Sequence, residues 1–372
     1  MNNKINRVLL INPWSDGVFP PPAIGYLQAA LKYWGVKVTA CGMDDALALE
    51  EDFDLVGVTF HSLSVKYASR IRKEIKGKLI CGGHHPSTLP EQMLALGYDQ
   101  VVVGEGENAI ISIVEGNEDS IIKGEDHKHK YFFTINDFLF PDYTGLKFGG
   151  QMGIPIISSR GCPFSCSFCA SSNFWKHKYY MRDADNVLCE IENRKLEGFK
   201  YWMFEDDNFT LNKSRVYEIC QGLDGKFLWN CTSRAESLDK NLCKELYRAG
   251  CRKIWLGIES LSQSALDRCN KNTTVEKMLS GIQNAKDAGI ETICQFIAGL
   301  PGDTSEEVVE THNLINIHGL NVSYHIAQIL PGTDIHEKAK ERGFKDEQYL
   351  ESEIPLYTYE QSIETLNNWA RA

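Results

Sequence analysis

Three cysteines in the segment RGCPFSCSFCAS, residues 160–171, stand at C-x3-C-x2-C spacing. One loop therefore carries three thiolates, the donor that both iron–sulfur clusters and zinc prefer. A four-iron cluster held by Cys162, Cys166 and Cys169 keeps one iron without a protein ligand, open to bind and activate another molecule. A tetrahedral structural zinc needs a fourth Cys or His; His177 is the near candidate, and no second C-x-x-C occurs. The spacing favours the cluster. Phe168, just before the third cysteine, is either a core residue or a flat platform for a nucleoside base.

The elements that would position this loop form two successive alternations. RVLLIN, VKVTAC, DLVGVTF, KLICGG and QVVVG are short, apolar, β-branched runs separated by helical patterns over Ala23–Trp34, Val65–Lys76 and Pro90–Leu96. Five strands alternating with helices predict an α/β, doubly wound parallel sheet over residues 1–118. The short reach from Cys41 to Asp54 leaves room only for an abbreviated second helix. Ligands of such sheets bind at the carboxyl ends of the strands. Here those ends carry Asn12, Pro13 and Trp14; Ser62 and Ser64; Gly82, Gly83, His84 and His85; and Gly104, Glu105, Gly106 and Glu107. Tight turns and helix caps are the ordinary use of such residues.

Charged and histidine-containing residues then break the rhythm, so 119–150 reads as a linker with the boundary near Gly149, its DHKHK run as solvated loop. Six further strand-like runs follow: IPIIS, KYWMFE, FLWNC, KIWLGIE, ETICQFIAG and VSYHIAQIL. Eight βα units close a barrel; six predict a partial (β/α)6, TIM-like barrel over 151–343 with its functional loops on the carboxyl side. The cysteine loop directly follows the first of these strands. Residues 344–372 form a tail with aromatics but no motif.

Bulk properties narrow the partners. The formal charge of -11 disfavours nucleic acid. No apolar run is long enough for a membrane helix, and twelve cysteines without a signal peptide read as reduced thiols plus a metal site, which places the protein in the cytoplasm.

CPFSCSFC, the six βα units, and the later GIES and GLPG segments resemble the radical S-adenosylmethionine (SAM) superfamily over residues 154 to about 342. The N-terminal sheet, with NPWSDGVFPPPAIGYLQAAL, DLVGVTF, CGGHHPS and VVVGEGE, is similar to the cobalamin-binding branch of that superfamily, class B methyltransferase-like. The resemblance implies a [4Fe-4S] cluster whose unique iron chelates SAM and whose electron cleaves it to a 5'-deoxyadenosyl radical. It assigns SAM contacts to Phe168; to Glu205, Asp206 and Asp207 around the methionyl amino group; to Arg234 against the carboxylate; to Glu259 at a ribose hydroxyl or the amino group; and to Gln295 and Gly299 along the adenine. It assigns cobalamin contacts to the strand-end residues of the first sheet named above. A D-x-H-x-x-G motif, whose histidine coordinates cobalt in many such domains, is absent.

Methyl transfer to an unactivated carbon or phosphorus centre of a small molecule or peptide is the implied reaction, with flavodoxin or ferredoxin as electron donor. A cobalamin-independent radical enzyme, such as a cyclase, a rearrangement enzyme or a methylthiotransferase relative, is the alternative. Methylthiotransferases usually hold a second cluster through three N-terminal cysteines, and this N-terminal region offers Cys41 and Cys81. A non-catalytic zinc module is the remote third reading.

Overall fold

The computed structural model describes residues 5–13, 20–127, 134–137, 139–147, 153–197, 199, 201–351 and 354–371. The chain falls into two units: Met1–Gln151 with Lys345–Ile354, and Met152–Phe344 with Pro355–Ala372.

In the first unit the apolar runs form β1 (Arg7–Asn12), β2 (Lys37–Gly42), β3 (Leu55–Thr59), β4 (Leu79–Gly82) and β5 (Gln100–Val103). A sixth strand, β6 (Ile121–Lys123), joins them in the order β2-β1-β3-β4-β5-β6, every pair parallel. This is the doubly wound sheet expected from the sequence, with its switch point between β1 and β3. Valine, leucine and isoleucine fill both faces: on one, Val8, Leu10, Leu55 and Ile80 pack with Ile24, Leu31 and Ile110 from the helices, and on the other Leu9, Ile11, Val56 and Val58 are buried. The second connecting helix is a five-residue Met43–Leu47, as the short span required.

The stretch read as a linker does more than connect. It supplies β6 at the sheet edge, and Leu139 and Leu146 pack on the core. Asp142 pairs with Lys32 at 2.7 Å, while Gln28 of the helix Pro22–Tyr33 donates to the carbonyls of Asp142 and Thr144. A three-residue strand among polar neighbours leaves too short a pattern to read as a period. The DHKHK run lies partly outside the described residues. The tail also divides between the units: Tyr349 is buried against His85 within the first, and the helix Ile363–Arg371 packs within the second.

In the second unit β7 (Ile154–Ile156), β8 (Ser159–Arg160), β9 (Tyr180–Met181), β10 (Tyr201–Phe204), β11 (Leu228–Arg234), β12 (Cys251–Glu259), β13 (Glu291–Ala298) and β14 (Val322–Ile326) follow in chain order. Six of them form a parallel sheet in the order β14-β13-β12-β11-β10-β7. Strictly sequential parallel neighbours with helical crossovers are the connectivity of a partial (β/α)6 barrel. The remaining two, β8 and β9, pair antiparallel and bracket the cysteine loop.

The two faces of this sheet differ. One is solid with Trp202, Phe204, Trp229, Cys231, Ile254, Leu256, Cys294 and Phe296, each fully buried. Register and strand alternation put Glu205, Thr232, Trp255 and Ile293 on the other face, followed by Arg234, Gly257, Gln295 and Ser323 one step toward the carboxyl ends. Much of that face is only half-buried, so it offers a chamber rather than a core.

Candidate active site

The hairpin β8–β9 closes the cysteine loop at its base, pairing Ser159 with Met181 and Arg160 with Tyr180. Gly161 turns the chain with φ 84°, and a Cβ there would lie 2.3 Å from the Lys178 carbonyl oxygen, so only glycine fits. Cys162 is buried, and Cys166 and Cys169 are half-buried. Burial pushes the Cys162 thiol up to about 11 and raises that of Cys166, so both hold their protons until a metal displaces them. Among the described residues no three His, Cys, Asp or Glu side chains are already gathered as a metal-holding group. The fit to a cluster therefore rests on the donor chemistry and on how firmly the loop is braced. His177 is exposed, with its Nδ1 3.2 Å from the Phe164 carbonyl oxygen.

Bracing comes from the end of β10. Asp206 accepts from the backbone N–H groups of Ser158 and Ser159 at 2.7 and 3.0 Å and from their hydroxyls at 2.5 and 2.8 Å. The guanidinium of Arg215 lies 3.6 Å away and donates to the Ser158 carbonyl at 2.7 Å. Asp206 is thus committed to holding the strand that leads into the loop. Asp207 holds the loop itself, accepting from the Gly161 N–H at 2.9 Å and from the Ser171 hydroxyl.

Glu205 differs from both neighbours. Its side chain has no hydrogen-bond partner among the described residues, and it sits half-buried on the chamber face. Burial, and then the charge of Asp206, raise its carboxyl from 4.5 to about 7. An unfolded glutamate releases its proton near 4.5, so the folded state gains from Glu205 below that pH and loses the gain as the pH climbs to 7. We expect cofactor-free E205Q to be the more stable protein at pH 8, by up to about 3 kcal/mol, with the difference narrowing toward pH 5. Urea titrations of both proteins at several pH values check this; parallel profiles would contradict it.

The third cluster of candidates meets across one rung of the sheet, where Gly257 lies in register between Arg234 and Gln295. Arg234 reaches the Cys166 sulfur at 3.5 Å, stacks over the Phe164 ring at 4.0 Å and donates to Glu236 and to the Lys271 carbonyl. Glu259 ends β12 in the left-handed region, φ 68°, and pairs with buried Lys271 at 2.8 Å. Lys271 also lies 5.9 Å from the Phe168 ring centroid. Its neighbours hold the cysteine loop directly: the Cys269 carbonyl accepts from the Ser167 N–H at 3.0 Å, and the Asn270 amide donates to the Ser165 carbonyl at 2.9 Å. Sequence reasoning missed this segment, because no motif links Lys271 to the cysteines. At Gly299, φ 85°, a Cβ would lie 2.5 Å from Leu366 of the C-terminal helix.

At the carboxyl edge of the first sheet the candidates separate by task. Ser64 locks a local turn with the backbone of His61. His85 is fully buried, with Nε2 2.8 Å from Gln92 and its ring edge-on to Tyr349, whereas His84 is exposed. Ser62 and Glu107 are buried, and Asn12 and Glu105 half-buried. Pro13 is buried; Trp14 lies outside the described residues. Gly83 has its place set by sterics, since a Cβ would meet the Phe60 carbonyl at 2.4 Å, while Gly104, at φ 85°, borders open space. A Cβ on Gly106 would meet Leu27 at 3.0 Å and one on Gly82 would meet Val102 at 3.4 Å.

Residues 156–315 match the model of the Radical SAM superfamily, and residues 13–114 match that of the B12 binding domain. The chain belongs to the radical SAM superfamily. An uncharacterized methyltransferase of Pyrococcus horikoshii is 27% identical over 90% of this chain and 83% of its own length. An anaerobic magnesium-protoporphyrin IX monomethyl ester cyclase of Rubrivivax gelatinosus is 30% identical over 83% of this chain and 65% of its own. In fold, the radical SAM methyltransferase TsrM of Kitasatospora setae superposes with a TM-score of 0.77 at 18% identity, covering 91% of this chain and 76% of that one. This radical SAM enzyme therefore combines a B12-binding, Rossmann-like sheet with the superfamily's partial barrel, and the cofactors of that pairing are a [4Fe-4S] cluster, SAM and cobalamin.

Proposed function

We propose that this radical SAM enzyme is a cobalamin-dependent methyltransferase acting on an unactivated carbon or phosphorus centre of a small molecule or peptide. The observation that carries the reading is the order of the two family matches in one chain, B12 binding at 13–114 and radical SAM at 156–315. The methyltransferase names of relatives support it. Cys162, Cys166 and Cys169 would hold the cluster, which when bound supplies the electron that cleaves the sulfonium of SAM. Glu205, Arg234, Glu259 and Gln295 face the same chamber with charges and hydrogen-bonding groups suited to an amino acid and a ribose. Asp206 and Asp207 act one step back, keeping the cysteine loop in place. Half-buried Trp255, Ile293 and Ile297 give the chamber apolar wall, which limits water near a reactive radical.

A low-potential flavodoxin or ferredoxin would supply electrons in a reducing cytoplasm. No helix among the described residues is long and apolar enough to cross a membrane. The cyclase relative favours a second reading, radical chemistry without methyl transfer. A methylthiotransferase role fits less well: Cys41 and Cys81 of the first unit are both buried, with thiols pushed up by that burial. Anaerobic reconstitution with iron and sulfide, with and without hydroxocobalamin, followed by gel filtration tests the proposal. The expected result is a corrin absorption band that stays with the protein; a protein that sheds all corrin yet still cleaves SAM would leave only the cobalamin-independent reading.

A further inference from the structure

Lys271 is almost fully buried, and its ammonium meets a carboxylate whose backbone is held in a conformation that costs roughly 1–3 kcal/mol for a residue with a side chain. The pair is fitted into a prepared space. A Cβ on Gly257 would lie 2.8 Å from Glu259 Oε1 and 3.2 Å from Lys271 Nζ, so the glycine leaves the sheet rung between Arg234 and Gln295 free for the pair to cover. The strand register shifts between Gly257 and Glu259, which turns the Glu259 side chain back over that rung. Lys271 Nζ contacts Oε1; the other oxygen, Oε2, has no partner among the described residues.

A buried ion pair by itself stabilises a fold little, since desolvation offsets the attraction. Its placement here suggests another use. Segment 269–271 grips the cysteine loop at Ser165 and Ser167, and Arg234, which touches the Cys166 sulfur, donates to the Lys271 carbonyl. One short segment thus touches the cysteine loop, the arginine beside it and the carboxylate on the chamber wall.

We propose that Lys271 is a positioning residue of the cofactor site: it clamps one oxygen of Glu259 so that the other is presented to the hydroxyl or ammonium of bound SAM, and it fixes a positive charge beside the cluster loop. The proposal rests on the radical SAM reading of the cysteine loop. Outer-shell groups of this kind typically change ligand affinity about 10–100-fold when removed, and net charge near a cluster sets its reduction potential.

The test uses the full chain carrying its reconstituted cluster, with SAM affinity read by calorimetry and the cluster midpoint by EPR-monitored redox titration. K271M should keep its iron but bind SAM at least about tenfold more weakly, with a more negative midpoint. K271R should stay within a fewfold of the parent in affinity. Because K271M leaves Glu259 buried without its cation, the K271M/E259Q double variant is the deciding protein. A merely structural pair predicts that removing both charges restores SAM affinity and midpoint together with stability. The proposal predicts restored stability and a midpoint back near the parent's, since the two charges lost cancel, with SAM affinity still lowered. A double variant with parental SAM affinity overturns it, as does an unaltered K271M. Loss of iron from the parent itself would instead overturn the radical SAM reading, so the two failures are distinguishable.

Discussion

A chain with Cys162, Cys166 and Cys169 all replaced by alanine is expected to fold, to hold no iron after reconstitution and to produce no detectable 5'-deoxyadenosine. Folding should survive because the loop is braced by groups other than sulfur: the β8–β9 pairing, the four hydrogen bonds to Asp206 and the two to Asp207. Cys166 and Cys169 are only half-buried, so truncating them removes little apolar contact. Chemistry should vanish because the other thiols cannot replace the trio: Cys220, Cys231, Cys243 and Cys251 lie near one another but are buried, and among the described residues no three ligands are gathered to hold a metal. Circular dichroism, iron analysis and product chromatography on one preparation check all three parts. Sustained cleavage of SAM by the triple variant would remove the cluster assignment.

The second large effect concerns Asp206, which touches no cysteine. In D206A the Arg215 guanidinium, 4% exposed, is left buried without its carboxylate, and four donors on Ser158 and Ser159 lose their acceptor. Breaking a buried pair from one side costs about 3–5 kcal/mol, a large share of the stability of an ordinary domain. D206A should therefore lower the urea midpoint sharply and fail to retain iron. D207A removes an exposed brace with two hydrogen bonds and should cost about 1 kcal/mol while weakening cluster retention. An unchanged midpoint for D206A, or equal effects from the two aspartates, would contradict this division.

Those aspartates also mark what the sequence could and could not convey. Runs such as RVLLIN and KIWLGIE are short, β-branched and apolar, so both parallel sheets were legible from composition and spacing alone. The cysteine trio was legible because its spacing lies within one loop. The adjacent acids in FEDDNF look alike as letters, yet folding gives them three tasks: Glu205 faces the chamber, Asp206 is spent on serine donors, and Asp207 ties down Gly161. Only the registration of β10 beside β7 fixes which is which.

Other features were hidden for similar reasons. Lys271 acts across twelve residues of chain, through a loop geometry that no periodicity encodes. Gly299 signals close approach, but glycine does not say to what, and here the partner is Leu366. His85 at a strand end reads as a ligand contact until Gln92 and Tyr349 enclose it. Strand β6 and the hairpin β8–β9 are too short to leave a pattern, and pairing alone defines them.

The central claim concerns an iron with a vacant coordination position inside a loop of three thiolates. Mössbauer spectroscopy of the protein reconstituted with iron-57, before and after adding SAM, addresses it most directly. The account predicts four irons per chain as a single [4Fe-4S] cluster, with one site, and only one, shifting when SAM is added. Four sites that ignore SAM, or a colourless protein holding a single zinc, would contradict it.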